Sequence, residues 1–238
     1  MYTITSKDNN KIKYACSLKE SKYRKKYQQF LGETFKSLEM AISSNIVTDV
    51  FVTEWKDIPE DINQYIVSEE VLKKISSNVN PEVVFIADIK EIAPKKLDKI
   101  LYLDHISDPG NMGTIIRTAL AFSLDLVLIS EDSVSIYNEK VINASKGAIY
   151  KMPIKIGKLK DYINGHQVVV TSLNEKSKSL YDISFKDKVI LVVGNESHGV
   201  DKEILDLATD VVKIPIDNID SLNVGVATGI LIAELSRK

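Results

Sequence analysis

The chain has 238 residues, a formal net charge of −2, 44% hydrophobic and 27% charged residues. That composition is ordinary for a globular protein of one large or two modest domains, and it excludes a generic polyanion binder. A single cysteine, Cys16, excludes an intrachain disulfide and a cysteine metal cluster and suits a reducing cytoplasm.

The opening residues MYTITSKDNNKIKY lack the apolar core of a signal peptide. Charge is uneven: residues 1–36 hold nine Lys or Arg against three Asp or Glu. Lys19, Lys22, Arg24, Lys25 and Lys26 cluster there, interleaved with Tyr23 and Tyr27. Leu31, Phe35, Leu38 and Ala41–Ile42 recur at helical spacing. Strands are predicted at 47–55 and 82–89, with a strand end and short helix over 65–76. The lysine- and proline-bearing 93–98 reads as a linker between domains over 1–92 and 99–238.

From there the rhythm becomes regular. Strands are predicted at 100–106, 124–130, 166–173, 189–196 and 211–216, and helices at 111–122, 138–150, 201–208 and 222–236. Near-continuous apolar strands alternating with helices predict an α/β fold whose parallel sheet is covered on both faces. Ser221 reads as the N-cap of the last helix. Inside that helix stand Gly225 and Gly229, each costing about 1 kcal/mol relative to alanine. The apolar run 222–235 is too short for a membrane span of about 20 residues. A cytoplasmic location with no membrane partner is expected.

Ligands on such sheets gather at loops leaving the carboxyl ends of strands. No G-x-G-x-x-G, G-x-x-x-x-G-K-[ST] or H-E-x-x-H occurs, which counts against dinucleotide, phosphate-loop and zinc-protease chemistry. His105, His166 and His198 are isolated and read as surface or satisfied histidines. Three segments stand at strand exits in a fixed order: DPGNMGTIIRTALAF with Asn111, Gly113 and Arg117, then LVVGNESHGV with Gly194, Asn195 and Glu196, then IPIDNIDSLNVGVATGI with Ile214, Ser221, Leu222 and Asn223.

On these segments the chain resembles the SpoU (TrmH) family of RNA ribose 2′-O-methyltransferases, in the SPOUT group. The resemblance covers about residues 97–238, and YNEKVINASKGAIYKMPI (137–154) supports it. The amino-terminal stretch resembles the small α/β, ribosomal-protein-like RNA-binding domain that often precedes it. Many members carry Glu-Gly where Glu33-Thr34 stands, and Arg where Asn143 stands.

The resemblance implies a trefoil knot, a rare exception to unthreaded topology, with S-adenosylmethionine held by the knot loops and the last helix packed in a homodimer. Close approach of another backbone or a partner helix would then explain both glycines. The implied cofactor contacts are Gly194, Asn195, Ile214 and Leu222, with Thr171, Ser172 and Leu173 as neighbours. The implied catalytic set is Arg117, Asn111, Glu196, Ser221 and Asn223. Arg117 lies one turn past Gly113 and is expected to face the same loop as Asn111. A guanidinium with a pKa above about 12 is a poor base, so Arg117 is read as a clamp on phosphate and developing alkoxide rather than as the proton acceptor. The leaving group is a neutral thioether, S-adenosylhomocysteine, so no metal is expected.

Lys22, Arg24, Lys25 and Lys26 are candidate phosphate contacts, with tyrosines to stack on unpaired bases. Structured RNA is the expected substrate, ribosomal in preference to transfer RNA. Two other readings stay open: a non-catalytic RNA-binding or ribosome-assembly protein, and a dinucleotide enzyme, which the missing fingerprint opposes.

Overall fold

The computed structural model describes residues 3–174, 177–195 and 197–237. The chain divides into two compact units, one formed by Met1–Lys90 with Tyr137–Tyr150, the other by Glu91–Ile136 with Lys151–Lys238.

The first unit contains β1 (Thr3–Ile4), α1 (Asn10–Ser17), α2 (Ser21–Tyr27), β2 (Gln29–Glu33), α3 (Phe35–Ser43), β3 (Val47–Val52), β4 (Asn63–Val67), α4 (Glu69–Ile75) and β5 (Val83–Asp88). Its sheet runs β1-β4-β3-β5-β2, with β5 antiparallel to both neighbours. Ile12, Leu18, Phe51, Leu72, Ile75 and Ile86 form part of its core.

The helical spacing that runs through Leu31 is broken here. Gln28, at φ 53°, ends α2, and Leu31 lies in β2 opposite Ile86. Pairing with an open strand of β5 outweighs local spacing, since five residues suffice for a strand and not for a stable helix. Thr34 then adopts φ 72°, a strained backbone for a β-branched residue. Its hydroxyl accepts from the Ser37 N–H and caps α3. Buried Glu33 fastens the loop after α4, accepting from Ser76 Oγ at 2.6 Å, the Ser77 N–H at 2.7 Å and Asn78 Nδ2 at 2.6 Å.

In the second unit the chain forms β6 (Lys99–Leu103), α5 (Pro109–Ala121) and β7 (Leu126–Ile129). It then leaves as Tyr137–Tyr150, carrying α6 (Glu139–Ser145), to complete the first unit. There the rings of Tyr137 and Tyr150 sit 5.1 and 5.9 Å from that of Phe30. The Tyr150 hydroxyl meets Ser37 Oγ at 2.8 Å, and burial pushes its pKa up. The sequence rhythm alone assigns this segment to the later domain.

The chain returns as β8 (Ile154–Ile156), β9 (Gln167–Thr171), β10 (Lys178–Ser179), β11 (Val189–Val193), α7 (Lys202–Leu205), β12 (Asp210–Lys213) and α8 (Val224–Leu235). All seven strands are parallel, in the order β10-β12-β9-β11-β6-β7-β8. The expected α/β parallel sheet is present. Because the chain steps from β6 through β7 to β8 and later fills the other side, the order reverses between β6 and β11. Crevices at such reversals receive ligands.

Asn223, not Ser221, caps α8. Its Oδ1 accepts from the N–H groups of Gly225 at 2.9 Å and Val226 at 3.2 Å. Ser221 lies two residues too early and is exposed. The two glycines also differ. A Cβ on Gly225 would stand 3.2 Å from Asn223 Oδ1, 3.5 Å from Asn111 Oδ1 and 3.6 Å from Thr114 Cγ2, so this glycine lets α8 lie against α5. A Cβ on Gly229 would meet no described residue within 4 Å. Close approach within the chain therefore explains Gly225 and not Gly229.

Candidate functional site

Parallel pairing brings the carboxyl ends of β9, β11 and β12 to one rim, where they enclose a cavity of about 530 Å³. Thr171, Ser172 and Leu173 line it from the end of β9, Gly194 and Asn195 from the end of β11, and Ile214 and Leu222 from the segment after β12. Its volume falls in the range of small-ligand pockets, about 300–1,000 Å³. Val193, Val212 and Leu231 give it an apolar floor.

The wall after β11 is a tight turn. Asn195 and Gly199 exchange both backbone hydrogen bonds at 2.9 Å. Gly199 needs its φ of 72°, and a Cβ on Gly194 would fall 2.3 Å from the Gly199 carbonyl oxygen. Asn195 Oδ1 accepts from the Ser197 N–H at 2.8 Å. Ser197, His198, Gly199, Val200 and Lys213 also line the cavity. The sequence marks their segment and Gly199 but not Ser197, His198 or Val200 as lining, which the folded turn brings round, nor Lys213, which enters from the end of β12.

Of the expected catalytic residues, Asn111 and Asn223 meet: Asn223 Nδ2 donates to Asn111 Oδ1 at 2.9 Å. Ser221 lines the cavity. Glu196 lies outside the described residues. Among the described residues Arg117 does not join them. It is exposed on α5, absent from the cavity lining, and without a hydrogen bond or ion pair to another described residue. It does lie one turn past Gly113, but six residues at about 100° each put it some 120° around the helix from Asn111. The expectation of a shared face fails on that rotation. Arg117 instead shares an exposed stripe with Thr114 and Ala121.

His105 is not the isolated histidine that the sequence suggests. It has φ 54°, and its Nε2 lies 3.2 Å from Asp201 and 3.7 Å from Asp104. Asp104 is buried, which raises its carboxyl pKa above the usual range, while the Asp201 N–H bond and His105 pull it down. These three side chains place ligand atoms within 4.8 Å of one another. No local pattern announces them, since Asp104 and Asp201 are 97 residues apart.

In the first unit, Lys22, Lys25 and Lys26 are exposed and Arg24 is buried. Arg24 Nη1 donates to the carbonyls of Leu18 at 3.0 Å and Lys19 at 2.6 Å, so it holds the end of α1 rather than a free phosphate. The rings of Tyr23 and Tyr27 lie nearly parallel, 6.2 Å apart and inclined by 8°. Lys22 sits over the first at 4.8 Å and Lys26 over the second at 5.2 Å.

The sequence model of the SpoU rRNA methylase family matches residues 98–233, the whole cavity included. The chain belongs to the SpoU rRNA methylase family. The model of an MRM3-like substrate binding domain matches residues 9–86. Among relatives of this SpoU methylase, the 23S rRNA (guanosine(2553)-2′-O)-methyltransferase RlmP of Bacillus subtilis is 31% identical, covering 99% of each chain. The tRNA (guanosine(18)-2′-O)-methyltransferase of Aquifex aeolicus is 29% identical, over 74% of this chain and 81% of its own. A crystal structure of an AdoMet-bound rRNA methyltransferase from Sinorhizobium meliloti is similar with a TM-score of 0.88 at 28% identity, covering 99% of this chain and 97% of that one.

Proposed function

We propose that this SpoU methylase transfers a methyl group from S-adenosylmethionine to a ribose 2′-hydroxyl of ribosomal RNA. The observation that carries the reading is the single cavity built from three strand exits, in which Gly194, Ile214 and Leu222 converge. The residues fit the donor: an apolar floor suits an adenine, and backbone groups of the Gly194–Gly199 turn suit polar ends. When bound there, S-adenosylmethionine supplies a sulfonium methyl for in-line displacement by the ribose oxygen and departs as neutral S-adenosylhomocysteine.

The protein's part is positioning, which can supply several kcal/mol of the barrier. Asn223 and Asn111 join the cavity's rim to α5. Arg117 grips the target phosphate and steadies the developing alkoxide through its planar fork. The exposure of Arg117 away from the cavity, together with the half-exposed Val226 and Phe122, supports a homodimer in which each copy supplies this arginine to its partner's cavity. A threaded carboxyl terminus and a cytoplasmic location belong to the same reading. Among the described residues no helix is long and apolar enough to cross a membrane.

Ribosomal RNA is favoured over transfer RNA by coverage: the 23S rRNA enzyme aligns along both units, the tRNA enzyme over three-quarters of the chain. Residues 1–92 act as the substrate-binding part and 99–238 as the catalytic part, supported by the two matched models. Titration calorimetry with S-adenosylhomocysteine, and separately with NADH, tests the cofactor. Mapping 2′-O-methyl marks in RNA from cells with and without the gene tests the substrate. Binding of NADH alone, or an unchanged methylation map, would count against the reading.

A further inference from the structure

The turn that leaves β6 is fastened at two points to the loop that walls the cavity. The Asp104 N–H donates to the Val193 carbonyl at 2.9 Å, extending the pairing of β6 with β11. One residue later His105 takes the left-handed backbone, at φ 54°, a region uncommon for residues other than glycine and less costly to histidine than to most. In that conformation the His105 N–H donates to Ser130 Oγ at 2.8 Å, and its carbonyl accepts from Asn195 Nδ2 at 2.8 Å. This is the first fastening. The second lies at Asp201, whose N–H donates to Asp104 Oδ2 at 3.1 Å and whose carboxylate lies 3.2 Å from the His105 ring.

Between these two points lie Ser197, His198, Gly199 and Val200, all lining the cavity. The turn itself continues into the start of α5, where Asp108 Oδ1 accepts from the Asn111 N–H at 2.7 Å. One dipeptide, Asp104–His105, thus holds both ends of the cavity wall and sets the origin of the helix that carries Asn111 and Arg117. Glycine would take the His105 backbone without strain and would keep its two backbone hydrogen bonds. What glycine lacks is the ring, and the ring faces Asp104, Asp132 and Asp201 at 3.7, 4.0 and 3.2 Å. Backbone strain kept where a side chain makes specific contacts is a mark of functional constraint.

We propose that Asp104 and His105 are positioning residues for methyl-donor binding, a two-point clasp that keeps the wall of Ser197, His198, Gly199 and Val200 against the cavity and in register with α5. The proposal rests on the cofactor reading above, and it adds residues that touch neither cofactor nor RNA.

The test compares His105→Gly, Asp104→Asn and Asp104→Ala with the wild-type full chain. Three quantities are measured: calorimetric affinity for S-adenosylhomocysteine, KM for the methyl donor apart from kcat, and hydrogen exchange at residues 197–201 without ligand. His105→Gly decides, because it relieves strain while removing the ring. The clasp predicts affinity weakened about fivefold or more, KM raised in step, kcat within about twofold, and faster exchange at 197–201, with the melting temperature unchanged or higher. Asp104→Asn, which keeps an acceptor for the Asp201 N–H, retains most of the affinity that Asp104→Ala loses. Wild-type affinity and exchange in His105→Gly would overturn the clasp. Wild-type protein that binds no S-adenosylhomocysteine would sink the cofactor reading instead, and unaltered exchange in His105→Gly would then reject the clasp on its own.

Discussion

Asn223 ties the first turn of α8 to the first turn of α5 by donating 2.9 Å to Asn111, across 112 residues of sequence. Its other amide atom caps α8, so one side chain serves two helices. Losing a cap costs about 1 kcal/mol and losing the link about as much again. Asn223→Ala should therefore lower the melting temperature by roughly 4–8 °C in a chain of this size and reduce methyl transfer. Asn223→Asp keeps the cap and loses the donor. It should melt only about 2–4 °C below the wild type and still transfer slowly; wild-type turnover in both variants would separate the link from catalysis.

Gly194→Ala should abolish the cavity's wall rather than the fold. Its new methyl would sit 2.3 Å from the Gly199 carbonyl oxygen, and the turn must open to admit it. Calorimetry should show S-adenosylhomocysteine binding weakened by more than about tenfold, or 1.4 kcal/mol, with the helical circular dichroism signal retained. Gly229→Ala is the contrast. Among the described residues nothing lies within 4 Å of its Cβ, so the isolated chain should gain up to about 1 kcal/mol, and sedimentation reports whether a second copy needs that space.

Arg117→Lys should separate turnover from binding. Arg117 lines no part of the cavity, so S-adenosylhomocysteine affinity should stay within about twofold while methyl transfer falls about a hundredfold or more, the scale of losing a charge-stabilising group. Cofactor-saturated turnover near wild type would remove Arg117 from the mechanism.

Replacing Lys22, Lys25 and Lys26 together by glutamine should weaken RNA binding and flatten its dependence on salt. Each phosphate that is no longer neutralised reduces the slope by about 1. Arg24→Gln should leave the slope alone and lower thermal stability, since its guanidinium holds the Leu18 and Lys19 carbonyls. Affinity is read by filter binding over a salt series. Deleting residues 1–92 is the poorer test, because it strips Tyr137 and Tyr150 of Phe30.

Acid should loosen the edge of the second sheet through Asp210. Hydrogen bonds from Gln167 and then Lys178 hold its carboxyl below the ordinary value of 3.8. The folded chain thus binds this proton less tightly than the unfolded chain does. The stability it gives is complete above pH 3.8 and drains away as pH falls through the depressed folded value. Asp210→Asn should flatten that part of the acid limb of a stability profile taken by urea unfolding, and an identical limb would reject the assignment.

Much of this architecture is legible in the sequence because β6, β7, β9 and β11 are buried on both faces, and burial on both faces writes continuous apolar runs. Strands β1, β8 and β10 have two or three residues, too few for any period to register. Leu31 misleads for a related reason: a five-residue strand flanked by helices borrows their spacing. The cavity's lining is legible from the exits of β9, β11 and β12, since the loops that meet there are each continuous in sequence, whereas the 108–122 segment contributes none of it. The capping residue is harder to read. Ser221 and Asn223 are both good caps, and what selects Asn223 is a partner on α5. His105 and Asp201 are silent for the same reason, since their meeting is purely tertiary.

The return of Tyr137–Tyr150 to the first unit has a consequence during synthesis. Amino-terminal domains generally fold as the ribosome extrudes them, yet here Phe30 waits for two rings that emerge more than a hundred residues later. By then β6, α5 and β7 are already outside the exit tunnel. The nascent chain must leave the surroundings of Phe30 incomplete while it begins a second core, and they can close only once Tyr150 has emerged.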